Sequence, residues 1–299
     1  MSATSTTTAA SSATPAGPPV APVRLPARGL RQDLRTISVV WRRELLQFRH
    51  APARALSSFI QPLLFLFVLG GGLGSVIHPG GGEAKFSTFL FPGVLATSVM
   101  FTAVFSGISM IWDRQLGFLR EMLVAPVRRG AILIGKCLGG ATIATGQSVL
   151  LLALCGLVGV PYNPAVLLAL VLLMFVGSFA ITACGVLIGV RLKQMQAAMP
   201  ITQLVITPMM FLSGSLFPLS GLPGWLHIAT RLNPLTYAVD PMRTVVFAHL
   251  NISPATKAVF DPGVTWAGWR VPALVEIGVV VAVGVILLSI ATALFNREG

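Results

Sequence analysis

Six stretches of the chain stay apolar long enough to cross a bilayer: about 56–77, 88–112, 132–158, 165–190, 198–217 and 273–295. A hydrocarbon core about 30 Å thick needs about 20 mostly apolar residues per helix. Backbone in lipid must satisfy its own hydrogen bonds, so each stretch predicts a transmembrane helix. Upstream, between Gly29 and His50, the pattern changes. Leu30, Leu34, Ile37, Trp41, Leu45 and Phe48 recur at helical spacing, while Arg31, Arg35, Arg42, Arg43 and Arg49 take other faces. This predicts a basic amphipathic helix lying in the headgroup layer. Packing of that helix on a soluble domain is the weaker reading, because no soluble core elsewhere could receive it. Residues 1–22 are uncharged and rich in Ser, Thr, Ala and Pro, so 1–28 reads as a disordered tail. With neither a basic start nor a compact apolar core, it is not expected to be a cleavable signal peptide.

Composition sharpens the class. Of 299 residues, 55% are hydrophobic and only 10% charged, with mean hydropathy +0.83. A soluble domain carries about 25% charged residues. The expected fold is therefore all-α: a polytopic membrane protein with six transmembrane helices. The formal charge of +12 would suit nucleic acid, but the basic residues cluster at the ends of apolar runs. With the N-terminus inside, fifteen Lys and Arg fall on inner segments and five on outer ones. That asymmetry places both termini in the cytoplasm and makes a nucleic-acid partner unnecessary. Lys136, just inside the third stretch, is expected to snorkel to the inner surface. The three cysteines have no CxxC or Cys/His spacing, so neither a disulfide framework nor a metal site is indicated.

Gly130 to Lys136 fits GxxxxGK, the start of a phosphate-binding loop. That chemistry needs a following Ser or Thr for Mg²⁺, a preceding strand and an α/β sheet. Cys137 follows instead, a basic loop precedes, and no cofactor site is assigned to this chain. Between the second and third stretches, Leu116, Leu119, Met122 and Leu123 share one helical face with Phe118 beside it, and Arg114, Arg120 and Glu121 are the exposed charges. Pro126 ends that pattern, predicting a short amphipathic helix over about 114–124 whose apolar ridge seeks a groove. The steps Gly70/Gly74, Gly135/Gly139 and Gly185/Gly189 permit close helix approach, more often within a subunit than between subunits. No carboxylate or His falls centrally in any span, and Glu276 is expected near headgroup level at the outer end of the last, with an exit path as the alternative. The four histidines are scattered, no catalytic constellation stands out, and no enzyme activity is expected.

Two blocks together carry a family resemblance. The first is the run Asp113 to Pro126 followed by Gly135-Lys136 and Gly139-Gly140. The second runs from Phe211 through Gly214, Phe217-Pro218, Leu222-Pro223 and Trp225, then Leu232-Asn233-Pro234-Leu235-Thr236-Tyr237, to Asp240 and Arg243. From about residue 29 to the C-terminus the chain resembles ABC-2 type transporter permeases, the daunorubicin-resistance drug-efflux branch in particular. Gln115 departs from the acidic residue common there, leaving no charge pair to assign at that position.

The resemblance implies a single transmembrane domain over 29–299 with an N-terminal interfacial helix. It also implies a coupling helix at 114–124 and short re-entrant helices within about 222–248, broken at Asn233-Pro234. Two permease copies, as a homodimer, would assemble with two copies of a separate ABC ATPase that binds ATP and Mg, in a bacterial cytoplasmic membrane. The implied function is export of a hydrophobic or amphipathic substrate, drug, antibiotic or lipid-like, as in multidrug efflux and antibiotic resistance. Arg114, Leu116, Phe118, Leu119, Arg120, Glu121, Met122 and Leu123 would couple to the ATPase. Met209, Met210, Phe211 and Phe217 would line the substrate path, and Trp225, Asn233, Pro234 and Tyr237 would form an outer gate. A stand-alone secondary carrier or channel is the alternative, and a scaffold or sensor subunit a third.

Overall fold

The computed structural model describes residues 29–50, 59–72, 86–117, 127–217, 223–250 and, apart from 254–255, 258–259, 261 and 267–268, residues 252–297. The tail expected at 1–28 and most of the coupling segment lie outside the described residues. The chain runs α1 (Leu30–Arg49), α2 (Phe59–Gly72), α3 (Phe86–Gln115), α4 (Arg129–Leu152), α5 (Pro164–Arg191) and α6 (Met195–Leu212). It continues through α7 (Gly224–Leu232), α8 (Thr236–Ala248), a two-stranded hairpin of β1 (Thr265–Trp266) and β2 (Trp269–Arg270), and α9 (Ala273–Arg297). Each of the six predicted stretches contains a helix among the described residues, although the fifth leaves the helix after Leu212 and the third after Leu152. Among the described residues four helices, α3, α5, α6 and α9, are long and apolar enough to cross a membrane. Helix α2 is shorter, and α4 dilutes its apolar residues with Lys136, Gln147 and several glycines.

Helix α3 is the centre of the bundle. Nearly every residue from Phe86 to Met100 is buried, as an all-round apolar helix requires. It packs on α4, α5 and α8, while α5 carries α9 on its other side. Small residues set these distances. A Cβ on Gly107 would come within 2.5 Å of the Thr182 carbonyl oxygen, and one on Gly140 within 2.6 Å of the Thr182 methyl. Gly185 in turn faces the Val104 backbone of α3. Backbones this close gain dispersion contacts, and hydrogen bonds such as Ser178 Oγ to the Ala141 carbonyl at 3.2 Å join them, which suits a bundle lacking a hydrophobic driving force between its helices.

At one end of the bundle, basic residues cap helix C-termini. The Arg114 guanidinium donates to the Val190 and Leu192 carbonyls at 3.2 and 3.4 Å. Arg129 donates to the Phe295 carbonyl at 2.6 Å and lies over the Phe295 ring. Terminal carbonyls have no partner within their own helix, so a cation there satisfies them and complements the helix dipole.

Two expectations about shape change. Helix α1 packs along α4: of the predicted stripe, Ile37, Trp41, Leu45 and Phe48 are half-buried while Leu30 and Leu34 are exposed, and Val40 and Glu44 beside the stripe are buried. And α3 ends at Gln115, with Leu116 in a turn and Gly117 at φ +82°. Arg114 therefore belongs to the end of α3, and the backbone leaves the α-helical region at Gly117; the rest of the coupling helix expected at about 114–124 lies outside the described residues.

Candidate functional site

Four ionisable side chains from three helices meet where α3 ends. Lys136 Nζ donates to Glu44 Oε1 at 2.8 Å and to Asp113 Oδ2 at 2.7 Å. The other Asp113 oxygen accepts from the Arg43 guanidinium. Lys136, Glu44 and Asp113 are almost completely buried, at 2%, 4% and 5% exposure. The expectation that Lys136 snorkels to the surface is thus corrected. An ammonium about two turns inside α4 is stabilised better by two carboxylates within hydrogen-bond reach than by stretching to water. Two acids and two bases leave the cluster neutral. Removing one member would strand a buried charge, at a cost of about 3–5 kcal/mol.

The glycine step on α4 makes this meeting possible. A Cβ on Gly135 would lie 2.9 Å from both the Ile37 carbonyl oxygen and Val40 Cβ, and one on Gly139 would lie 2.7 Å from Glu44 Cβ. With hydrogens there, the stem of Glu44 rests on the α4 backbone and its carboxylate reaches Lys136. The step serves packing within the subunit, as expected. The Trp41 indole donates to Thr142 Oγ1 at 3.0 Å, fixing α1 along α4 one turn further on. The GxxxxGK run is continuous helix from Arg129, with its Lys held by carboxylates, so its backbone forms no phosphate-cradling loop.

Beside the cluster opens an amphipathic cleft of about 410 Å³ between α1, α2, α3, α4 and α6. Its polar lining includes Gln47, Gln61 and Gln147 with Thr102, Ser106 and Ser109. Its apolar lining includes Phe101, Phe105 and Trp112 of α3 with Met195 and Met199 of α6. Thr102 Oγ1 donates to the buried Gln147 Oε1 at 3.0 Å. Clefts of roughly 300–1,000 Å³ hold drug-sized ligands. The proposed path residues lie elsewhere. Met209, Met210, Phe211 and Phe217 are outside the cleft, with Met210 buried and Phe211 exposed.

The residues read as an outer gate sit near the other end. The break between α7 and α8 falls at Asn233-Pro234, as the sequence predicts. Asn233 Nδ2 donates to the Met209 carbonyl at 2.7 Å, and its Oδ1 accepts from Leu235 N. Tyr237 Oη donates to the Arg231 carbonyl at 2.8 Å and accepts from Trp266 Nε1 at 3.0 Å. Asn233, Pro234 and Tyr237 therefore come together as pins of the break, whereas Trp225 stands apart and exposed. Arg243, counted as an outer-segment charge, is buried, 4.3 Å over the Phe89 ring and donating to the Gly214 carbonyl at 2.7 Å. Glu276 is 1% exposed rather than lying in open headgroup surroundings.

Sequence reasoning missed the cluster. A signal for it existed: Asp113 and Lys136 flank one loop between antiparallel helices, and an ammonium inside an apolar span calls for a counter-charge. Of the coupling residues, Arg114 is bound to α5 and Leu116 is exposed, while Phe118, Leu119, Arg120, Glu121, Met122 and Leu123 lie outside the described residues.

The family described as ABC-2 type transporter matches residues 35–247. Nodulation protein J of Rhizobium leguminosarum bv. trifolii is 31% identical over 213 residues, covering 70% of this chain and 80% of that protein. The same protein of R. leguminosarum bv. viciae is 31% identical over 222 residues, covering 73% and 83%. Transport permease ycf38 of Cyanophora paradoxa is 27% identical over 213 residues, covering 70% and 73%. With more than two thirds of its length matched and a helical bundle rich in membrane-length spans, the chain belongs to the ABC-2 type transporter family.

Proposed function

We propose that this permease is the membrane half of an ATP-driven exporter with six spans and both termini in the cytoplasm of a bacterial cell. It works as a homodimer with two copies of a separate ABC ATPase, which holds the ATP and Mg that this chain does not bind. The carrying observation is the ion cluster where α3 ends, just before the 118–126 segment. Asp113 and Arg114 are the last charged residues before that loop. Asp113 is bonded to α1 and α4 through Arg43 and Lys136, and Arg114 to the end of α5. A push on the loop reaches α1, α3, α4 and α5 together, because buried charge pairs and backbone-directed guanidinium bonds resist separate movement. Helix α6 follows α5 after only Leu192, Lys193 and Gln194, and packs on the bundle lightly. It can rock against that body, opening and closing the cleft as the ATPases close and reopen.

The cargo is a hydrophobic or amphipathic molecule taken up through the cleft. The narrower reading, drug or antibiotic efflux, rests on the sequence resemblance alone, since the relatives above are named for nodulation and transport. The re-entrant placement of α7 and α8 is likewise part of this reading, supported by the helix break at Asn233-Pro234.

The test is reconstitution with and without the partner. The permease is expected to co-purify with an ATPase, and substrate movement to stop when that ATPase binds ATP without hydrolysing it. Leu119→Asp or Met122→Asp is expected to release the ATPase while leaving the permease folded. Full transport by the chain alone would overturn the proposal. The buried Lys–carboxylate cluster is the one observation favouring a stand-alone, proton-coupled carrier, and transport driven by an ion gradient alone would select it.

A further inference from the structure

We infer that the cleft selects uncharged amphiphiles: molecules whose polar part hydrogen-bonds without carrying ionic charge. This rests on the reading of the cleft as the cargo site and adds the chemical class that it accepts. The lining offers amides and hydroxyls on one side and aromatic and methionine surface on the other. Its one ionisable member among the described residues is Glu44, and that carboxylate is already held by Lys136 at 2.8 Å in a cluster where two acids meet two bases.

A ligand carrying a charged head would therefore find no free counter-ion among the described residues of the wall, only dipoles, and would have to shed its hydration without replacement. A neutral head meets the opposite situation. Gln47 and Gln61 are exposed on the cleft wall, and each amide can both donate and accept. Ser106 Oγ is buried at the cleft with no hydrogen-bond partner among the described residues, a donor-acceptor with unused capacity. A buried hydroxyl left so is costly, and a ligand hydroxyl or amide would satisfy it. The apolar part of the same molecule then lies on Phe101, Phe105 and Trp112, with the flexible Met195 and Met199 side chains adapting to its shape. Polarity without charge is thus a property of the whole lining rather than of one residue.

The experiment uses the full-length chain in lipid nanodiscs and three photoreactive probes sharing one diazirine-bearing alkyl chain. One has a glucoside head, one a carboxylate and one a trimethylammonium. Labelled positions are mapped by peptide mass spectrometry. The glucoside probe is expected to label the Phe101–Trp112 segment and Met195–Met199, with the two charged probes at background. Gln61→Leu and Ser106→Ala should each lower glucoside labelling by about five-fold, the worth of one hydrogen bond. Gln61→Glu supplies the missing counter-charge and should bring the trimethylammonium probe into the same segment. Equal labelling by all three probes, or by a zwitterionic phosphocholine probe, would overturn the inference. So would glucoside labelling insensitive to both substitutions. A parallel assay of ATP-dependent transport keeps the two readings apart. Transport that persists alongside unselective labelling sinks only the choice of ligand class, whereas transport without an ATPase sinks the function itself.

Discussion

The two ends of the bundle bury cations in different ways. At the α1–α3–α4 end, Lys136 is held by two carboxylates and Arg43 by one, so each charge is answered by a charge. Near the α7–α8 end, Arg243 is held by the Gly214 carbonyl and the face of Phe89. Ion pairing of that kind joins separate helices firmly and costs heavily when half of it is removed. The carbonyl and ring contacts of Arg243 weld α8 to α3 and to the turn after α6. Glycines serve both ends. Gly139 admits the Glu44 stem, and Gly93 admits the Ser215 backbone so closely that no Cβ fits between them. The first end is built as a neutral, rigid coupling; the second fixes a turn and a helix break in place.

The sharpest way to break this contrast is at Gly93. Gly93→Val drives two methyls into the Ser215 backbone, and no monodisperse protein is expected on size-exclusion chromatography in detergent. Next is Lys136→Met, which leaves Asp113 and Glu44 buried, with only Arg43 still answering Asp113. A loss of about 3–5 kcal/mol is expected in equilibrium unfolding, largely recovered when Glu44→Gln is added, because the Arg43–Asp113 pair then remains charge-balanced. Failure of the double variant to recover would show that the cluster does more than balance charge. At the other end Arg243→Lys keeps the charge but gives up the planar stacking on Phe89, with an expected loss of about 1–3 kcal/mol by the same measurement. Smallest is Tyr237→Phe, which removes the bond to the Arg231 carbonyl and the acceptor for Trp266, expected to cost about 1 kcal/mol. If Arg243→Lys proves costlier than Lys136→Met, the two ends have been ranked in the wrong order.

Much of the fold is legible along the chain because bilayer thickness and the 3.6-residue period act on local sequence. The helix break at Asn233-Pro234 is readable in the same way, since a proline lacks the N–H that a helix interior needs. The buried face of α1 is readable only in part. Ile37 and Trp41 of its apolar stripe do lie against α4, but Leu30 and Leu34 are exposed, and packing on Gly135 and Gly139 with the pull of Lys136 on Glu44 brings Val40 and Glu44 inward beside the stripe. The coupling segment shows a related limit. Its hydrophobic periodicity runs smoothly from Leu116 to Leu123, yet Gly117 at φ +82° interrupts it, and periodicity carries no term for backbone handedness.

What the sequence determined by itself is the solvent this protein folds in, the helical class and the positions of most helices, because those follow from apolar length and from composition. What only the tertiary structure decided is which charges meet. Arg43, Glu44, Asp113 and Lys136 come from three helices far apart in the chain, and only glycine-permitted backbone contact brings them within hydrogen-bond range. The cleft beside them has the same origin. Its polarity comes from residues that look incidental in sequence, and its neutrality from a charge balance that no single segment contains.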